Sequence, residues 1–185
     1  THCISSAASD VYKRQVYSNW TPRSNKYFPE ATEGSVVFGI QYLIKEYLIK
    51  QFEKNFFNLP KKEAVEMFYR RVNNFVGIES VGYRHIEALY DLGYLPIRIK
   101  ALPEGSVCPI RVPMMTITNT LPEFFWLTNY LETIISCTLW MPCTSATRAR
   151  LYKKELHRHA CKTGFPTDVN LSLIHISEPT RRTPI

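Results

Sequence analysis

The chain has 185 residues, of which 45% are hydrophobic and 13% are aromatic, and it carries a formal net charge of +7. This composition excludes an intrinsically disordered chain, because ten Phe, eleven Tyr and three Trp need a core in which to be buried. No uninterrupted apolar run approaches the roughly 20 residues that a membrane-spanning helix requires, and five cysteines without CxxC spacing indicate neither a disulfide framework nor a zinc site.

Two hexapeptides near the ends of the chain can be encoded by opposite strands of one DNA word. Residues 10–15 read DVYKRQ and residues 171–176 read LSLIHI; GATGTGTATAAGAGACAG encodes the first, and its reverse complement encodes the second in frame. The word resembles a transposon end used to attach sequencing adapters, so we expect residues 1–15 and 171–185 to be adapter-derived. Residues 16–170 are then one N-terminal domain of a longer gene product. Each flank holds two basic residues and one acidic residue, which leaves +5 of the total +7 on this domain.

The first half of the domain is dominated by helical patterns. Residues 16–26 begin with a short β-prone run and then form a polar loop that contains Pro22 and Asn25. Apolar residues from Val36 to Phe56 recur with a period of about 3.6 residues, which predicts an amphipathic helix. A second helix is predicted to begin near Pro60, since proline is tolerated in a first helical turn. A third is predicted from about Ser80 to Leu92, with Gly93 as its C-cap.

The pattern changes to strands after this third helix. Alternation of apolar and polar residues predicts a strand at 95–102, and a second strand is predicted at 107–110, after a Pro-Glu-Gly turn. A third strand is predicted at 114–119, where β-forming residues dominate. Helices on both sides of a short group of strands favour an α+β fold over a regularly alternating parallel sheet.

Two further helices are predicted after the strands. Thr120 and Glu123 have the spacing of a capping box, in which both side chains accept hydrogen bonds from N–H groups at the start of a helix. The stretch 140–142, Trp-Met-Pro, is predicted to end that helix, because proline lacks an N–H and clashes with the preceding turn. The last helix is predicted over about 144–161 and stops before Gly164.

The last predicted helix holds the residues most suggestive of chemistry. Its basic residues oppose the single acid Glu155, and such a row can bind nucleic acid or phosphate but is more typical of a solvated face. His157 and Cys161 are four residues apart and share a face, as two metal ligands could, whereas His159 points elsewhere. A metal site needs three or four convergent ligands, so exposed histidines on a basic helix are the favoured interpretation. The basic residues are Arg148, Arg150, Lys153, Lys154, Arg158 and Lys162.

Common catalytic motifs do not occur in the sequence. It contains no GxGxxG or GxxxxGK[ST] phosphate loop, no GxSxG nucleophile elbow and no HExxH zinc motif. Cys137 and Cys143 lie in apolar stretches and are interpreted as small core residues rather than as nucleophiles. Composition and spacing alone therefore predict an α+β fragment without specifying its function.

Three stretches of the domain resemble the N-terminal third of the nicotinamide phosphoribosyltransferase family. They read VVFGIQYLIKEYL at 36–48, LPIRIKALPEG at 95–105 and NTLPEFFWLTNYLET at 119–133, and WMP and TSAT follow up to residue 147. Their order and intervals also fit, so the resemblance covers essentially all of residues 16–170. The VYS sequence that begins at Val16 is similar to a strand start of the family, which places Arg23 on a family arginine.

The resemblance implies a reaction and an assembly. Members of the family condense nicotinamide with phosphoribosyl pyrophosphate to give nicotinamide mononucleotide and diphosphate, a step of NAD salvage, usually with magnesium. The resemblance implies a cytoplasmic homodimer with active sites at the subunit interface. It further implies the fold of a type II phosphoribosyltransferase, in which an α/β-barrel domain, absent here, follows the N-terminal α+β region. It implies neither nucleic acid nor a membrane as a partner.

Most residues for this chemistry are expected outside residues 16–170. By the resemblance, an aspartate-serine-tyrosine-lysine motif would precede Val16, and the ring-stacking phenylalanine, the catalytic histidine and the barrel phosphate loops would follow Asn170. The resemblance therefore assigns no catalytic residue, no metal ligand and no bound cofactor to this segment, and the segment alone is expected to be inactive. Only Arg23 is a candidate site residue, as a ligand of substrate phosphate or diphosphate. Its other interpretation is an ordinary exposed loop arginine.

Other interpretations stay open. The segment could be a stand-alone dimerisation or binding module without catalysis, which a stop codon directly after Asn170 would favour. It could also come from a nicotinate phosphoribosyltransferase, although LPIRIKALPEG and FWLTNYLET look closer to the nicotinamide branch. Both flanks are expected to pack poorly on the rest of the chain, since no selection shaped them.

Overall fold

The computed structural model describes residues 15–76 and 82–164 of the chain. The α+β class is confirmed, because helices and short strands alternate along these ranges without forming a parallel sheet. The flanks, apart from Gln15, lie outside the described residues, and so does the prediction that they pack poorly. In chain order the elements are β1 (Tyr17–Trp20), β2 (Ser35–Val36), α1 (Ile40–Tyr42, continued by π-helical stretches at Leu43–Gln51 and Glu53–Phe57), α2 (Lys61–Val76), α3 (Arg84–Leu92), β3 (Ile97–Ala101), β4 (Val107–Cys108), β5 (Met115–Asn119), α4 (Leu127–Tyr130) and α5 (Glu132–Thr163).

Strand β5 is the centre of a three-stranded antiparallel sheet in the order β1-β5-β3. Met115 lies opposite Trp20 on one side and opposite Ala101 on the other. Alternate residues of β5 are buried, as expected for a strand with one face on the core. Its inward side chains Met115 and Ile117 share the main core cluster with Ile135 and other buried residues of α5. The sheet therefore packs on α5 through this cluster.

Strand β4 pairs with β2 and not with its neighbour in sequence, β3. Val107 and Cys108 lie opposite Val36 and Ser35 in a separate two-stranded sheet. The predicted strand at 107–110 is thus shortened to two residues, because Pro109 cannot donate a ladder hydrogen bond. β5 takes the place beside β3, where its five residues pair along the full length of the strand.

The first helix begins four residues later than its periodicity predicts. Val36 belongs to β2, and Gly39, with a φ of 94°, makes the turn into the helix. Only glycine adopts this left-handed conformation without steric cost. Most of the helix is wound as a π-helix, in which residues five apart share a face. Leu43 and Leu48 have this spacing, and both are buried in the main core.

Helices α2 and α3 pack against each other. α2 begins directly after Pro60, which confirms the prediction. α3 begins at Arg84 rather than near Ser80, and it ends at Gly93, whose φ of 78° confirms the predicted C-cap. The Lys61 ammonium lies 2.7 Å from both carboxylate oxygens of Asp91 and joins the two helices.

Helix α5 runs without interruption from Glu132 to Thr163, so the predicted break at Pro142 is wrong. Proline removes one N–H from the helix ladder, but packing on both sides offsets that loss. Leu139 and Cys143 are 0% and 2% exposed, and the Pro142 ring lies against Gly39. Although α5 has 32 residues, neither it nor any other described helix is apolar enough over a sufficient length to cross a membrane.

The capping box predicted at Thr120 and Glu123 does not form. Pro122–Phe124 is a short 3-10 turn without a side-chain cap, and α4 begins only at Leu127. The backbone N–H of Thr120 donates to the Pro96 carbonyl at 2.8 Å, which holds this residue against the loop before β3. The segment is therefore positioned by the neighbouring strand rather than by its own helix start.

His85 lies at the edge of a second core cluster, between the rings of Phe68 and Trp126. The ring centroids are 6.4 and 5.0 Å away, and both pairs are edge-to-face. Desolvation by burial lowers the pKa of His85, although a hydrogen bond with the Gly82 backbone opposes this shift. The aromatic environment therefore favours the neutral imidazole.

Acidification is expected to destabilise the fold through His85. Because the pKa is lowered in the folded state, the unfolded chain takes up this proton at a higher pH. The free energy of unfolding therefore has its full value above the ordinary histidine pKa of about 6.5, and it decreases as the pH falls below that pKa. Urea denaturation between about pH 5 and 8 checks this, and His85→Phe should flatten the dependence. His157→Phe, at the exposed end of α5, is the control; an unchanged slope in His85→Phe would contradict the expectation.

Candidate functional site

A groove of about 960 Å³ opens between β1, the loop that follows it, and one face of α5. Its volume is typical of small-molecule sites. The β1 side contributes Tyr17 and Trp20 together with the loop that follows them. On α5, residues four positions apart share a face because the helix has 3.6 residues per turn. The row that lines the groove is Glu132, Ser136, Trp140 and Thr144.

Thr147 fixes the bottom of the groove to β2. Its hydroxyl donates to the Cys143 carbonyl at 2.6 Å and accepts from the Val36 N–H at 2.9 Å. Because the Thr147 proton is used within the helix, the Ser35 hydroxyl, 3.2 Å away, is the donor of that pair. The Cys143 thiol donates to the Phe38 carbonyl at 3.2 Å. These bonds hold residues 35–38 on α5 and give the groove a fixed floor.

Arg23 lies at the mouth of this groove, in the loop between β1 and β2. Its side chain is exposed, and it makes no hydrogen bond or ion pair with any other residue that the structure describes. The loop itself is ordered by backbone bonds: the Arg111 N–H donates to the Pro22 carbonyl at 2.8 Å, and the Phe28 N–H donates to the Asn25 carbonyl at 2.8 Å. Among the described residues, Arg23 is thus an unpaired cation on an ordered loop.

The chemistry of the groove follows from its lining. Of the described residues that line it, Arg23 and Glu132 are the ones that carry a charge, and they approach it from different elements. Tyr17, Trp20 and Trp140 supply aromatic surface on which a planar ring can stack. The groove is therefore suited to a polar ligand with one anionic part and one flat part.

The basic row of α5 is partly neutralised within the chain. Arg150 lies 2.8 Å from Glu33, and Lys154 also pairs with that carboxylate. Hydrogen bonds from these two partners, of which that from Lys154 has the larger effect, hold the pKa of Glu33 below its ordinary value. Arg158 pairs with Glu155 one helical turn away. These contacts fit a solvated face with local partners rather than a continuous phosphate-binding surface.

The His and Cys residues near the end of α5 do not form a metal centre in the part of the chain that the structure describes. His157 and Cys161 do share a face, with 3.7 Å between Nδ1 and Sγ, whereas His159 lies 3.2 Å from Glu155. Within residues 15–76 and 82–164, no group of three or more His, Cys, Asp or Glu side chains is placed to hold a metal ion.

The two cysteines of the apolar stretches differ. Cys143 is buried, which confirms its interpretation as a core residue, and desolvation raises the pKa of its thiol. Cys137 is exposed, so the core interpretation is wrong for it. Position 137 lies midway between the buried residues Ile135 and Leu139, and in a helix such a position points away from their face.

The row on α5 was not predicted, although its spacing of four is visible in the sequence. The predicted break at Pro142 placed Thr144 and Trp140 in different helices and concealed the common face. The contact of Arg111 with Pro22 was not predicted either, because nothing local in the sequence shows that these two backbone segments meet.

Relatives of known function match the chain, although no protein-family model does. It is 47% identical over 152 residues to a nicotinamide phosphoribosyltransferase of Acinetobacter baylyi, which covers 80% of the chain and 30% of the relative. Enzymes of the same name from Xanthomonas campestris pv. campestris and Mycoplasma pneumoniae are 49% identical over 55 residues and 34% identical over 77 residues. These matches cover 30% and 40% of the chain, and 12% and 17% of the two relatives.

The chain spans less than a third of the length of these curated relatives. The match with the Acinetobacter enzyme nevertheless extends over most of the chain itself. The resemblance found in the sequence is thereby confirmed: over most of its own length the chain is homologous to nicotinamide phosphoribosyltransferases.

Proposed function

We propose that the chain is part of an enzyme that transfers the phosphoribosyl group of phosphoribosyl pyrophosphate to nicotinamide. The products are nicotinamide mononucleotide and diphosphate. The observation that carries this proposal is the 47% identity over 152 residues to the Acinetobacter enzyme. The groove supports it, because an exposed arginine and several aromatic rings face the same space.

The reaction calls for positioning and charge neutralisation. The bond between the ribose C1 atom and the diphosphate oxygen breaks, and its electron pair leaves with the diphosphate. The lone pair of the pyridine nitrogen forms the new C1–N bond, so no proton transfer is needed. The transition state resembles an oxocarbenium ion, and fixed cations beside the leaving group stabilise its developing negative charge. We propose Arg23 for this role, since a guanidinium group can bind two phosphate oxygens at once.

Loss of the Arg23 charge is expected to weaken this step. In the complete enzyme, Arg23→Gln should lower kcat/KM for phosphoribosyl pyrophosphate by about 10- to 100-fold, as for removal of a charge-assisted hydrogen bond. Arg98→Gln, on the opposite edge strand β3, is the matched control and should leave the rate unchanged. Steady-state kinetics of both variants check this. Equal rates for Arg23→Gln and the wild type would remove Arg23 from the site.

Magnesium is expected for the complete enzyme, but the described residues offer it no ligand set. In the part of the chain that the structure describes, Glu132 is the single carboxylate that lines the groove, and one carboxylate does not hold this ion without other ligands. No step is therefore assigned to magnesium on this chain. Titration of the complete enzyme with a chelator and then with magnesium tests the requirement.

We further propose that the enzyme is a cytoplasmic homodimer. We also propose that residues 16–170 of this chain belong to the enzyme and that the two flanks are adapter-derived. Light scattering of the complete protein tests the dimer, and cell fractionation tests the location. Recovery of the gene from an independent library tests the boundaries of this segment. A different sequence before residue 16 and after residue 170 would support them, and recurrence of the present flanks would contradict them. A stop codon directly after Asn170 would instead favour a stand-alone module.

A further inference from the structure

Arg111 has an unusual backbone conformation. Its φ is 69°, and within the described residues it is the single non-glycine residue with a positive φ. It lies in a tight turn, where the Val112 N–H donates to the Pro109 carbonyl at 3.2 Å and the buried Cys108 thiol donates to the Val112 carbonyl at 3.3 Å. Glycine is the residue favoured in this left-handed region, so the backbone of Arg111 has a conformation that is unfavourable for arginine.

The same turn holds the loop that carries Arg23. The N–H of Arg111 donates to the carbonyl of Pro22 at 2.8 Å, and the N–H of Met114 donates to the carbonyl of Trp20 at 2.9 Å. Pro22 directly precedes Arg23, so Arg111 is bonded to the residue next to Arg23. Ile110, next to Arg111, lines the groove. Two arginines from distant parts of the sequence therefore lie on neighbouring backbone segments, beside the groove that Arg23 and Ile110 line.

Neither guanidinium group is neutralised by a residue that the structure describes. Both side chains are exposed, and neither makes an ion pair within residues 15–76 and 82–164, in contrast to Arg150 and Arg158 on α5. Glu132 lines the groove from the α5 side without pairing with Arg23. Both charges are therefore available to an anion with several oxygens.

We propose that Arg23 and Arg111 together bind the diphosphate group of a ligand at the rim of the groove. The choice of diphosphate rests on the proposed function, in which this group is present both in the substrate and in the leaving product. Two guanidinium groups match its two phosphoryl groups, since each can form paired hydrogen bonds with phosphate oxygens. Arg111 thus has two roles: its backbone fixes the loop of Arg23, and its side chain supplies the second cation.

Arg111→Gly separates these two roles. Glycine keeps the N–H and favours a φ of 69°, so the backbone bond to Pro22 is retained while the charge is lost. The melting temperature should therefore not fall. The comparison set is Arg23→Gln, which removes the first cation, and Arg98→Gln, which removes an equivalent exposed charge from β3 at the far edge of the sheet.

Isothermal titration of the 185-residue chain with inorganic diphosphate tests the proposal. The wild type should bind one diphosphate, and Arg111→Gly and Arg23→Gln should each raise Kd by about tenfold or more. Arg98→Gln should bind as the wild type does. Parallel titrations with orthophosphate, which should bind more weakly, and with phosphoribosyl pyrophosphate show whether two phosphoryl groups are needed and whether the ribose adds affinity.

Three results would overturn the proposal. They are the absence of saturable diphosphate binding, a Kd of Arg111→Gly equal to that of the wild type, and an equal loss in Arg98→Gln, which would indicate non-specific attraction. None of them decides whether the complete enzyme makes nicotinamide mononucleotide, because that activity is measured separately. Conversely, diphosphate binding that depends on Arg111, in a protein whose complete form lacks turnover, would support the anion site and reject the proposed function.

Discussion

Gly34→Ala is expected to destabilise the fold by more than about 4 kcal/mol, a large share of the stability of an ordinary domain. A Cβ at this position would lie 2.0 Å from the Cys108 carbonyl oxygen, 2.7 Å from its carbon and 2.9 Å from the Pro109 Cα. All three are backbone atoms, so no side chain can rotate away. The φ of 123° adds the strain that any residue with a Cβ meets there. The change therefore breaks the contact between the β2 and β4 segments, on which one end of the groove depends.

Gly105→Ala is the matched control for this prediction. Gly105 also has a positive φ, 88°, but a Cβ there meets nothing within 4 Å. Its cost should be limited to the left-handed conformation, about 1–2 kcal/mol. Urea denaturation followed by circular dichroism measures both variants. Similar free energies of unfolding for Gly34→Ala and Gly105→Ala would contradict the close packing of the β2 and β4 segments.

Leu139→Ala is expected to lower the free energy of unfolding by about 2–5 kcal/mol, as for a fully buried leucine whose removal leaves a cavity. Leu139 is 0% exposed and lies in the main core beside Leu43, Leu131 and Cys143. It is also one turn before Pro142, where packing substitutes for the hydrogen bond that proline cannot make. A cavity at this point weakens the helix where its own ladder is weakest.

Met141→Ala provides the comparison within the same helix. Met141 is 50% exposed, and its truncation should change stability by no more than about 0.5 kcal/mol. The two variants are compared by the same urea denaturation. If both had small effects, α5 would not be held through Pro142 by its buried face.

Elements determined by local chemistry could be predicted from the sequence. The alternation in β3 and β5, the start of α2 after Pro60 and the cap at Gly93 depend on neighbouring residues only. The course of α5 through Pro142 could not be predicted, because the packing that tolerates the proline comes from Gly39, more than 100 residues earlier. The pairing of β4 with β2 could not be predicted either, because two-residue strands carry no pattern of their own.

The candidate site shows the same division. Arg23 was assigned by resemblance to a family, since a loop arginine has no local pattern that marks a ligand site. The α5 row was present in the sequence as a spacing of four, but it became visible only when the helix proved continuous. Arg111 depends on a single long-range backbone bond to Pro22, which composition and periodicity do not encode.

The most direct test of the proposed function is the reaction itself. The complete protein encoded by the parent gene is incubated with nicotinamide and phosphoribosyl pyrophosphate, and nicotinamide mononucleotide and diphosphate are quantified. A parallel incubation with nicotinate distinguishes the related acid-using enzyme. We predict that nicotinamide mononucleotide and diphosphate form in equal amounts, that nicotinate is a much poorer acceptor, and that Arg23→Gln reduces the rate. Absence of product from nicotinamide, or turnover of nicotinate in its place, would contradict the proposal.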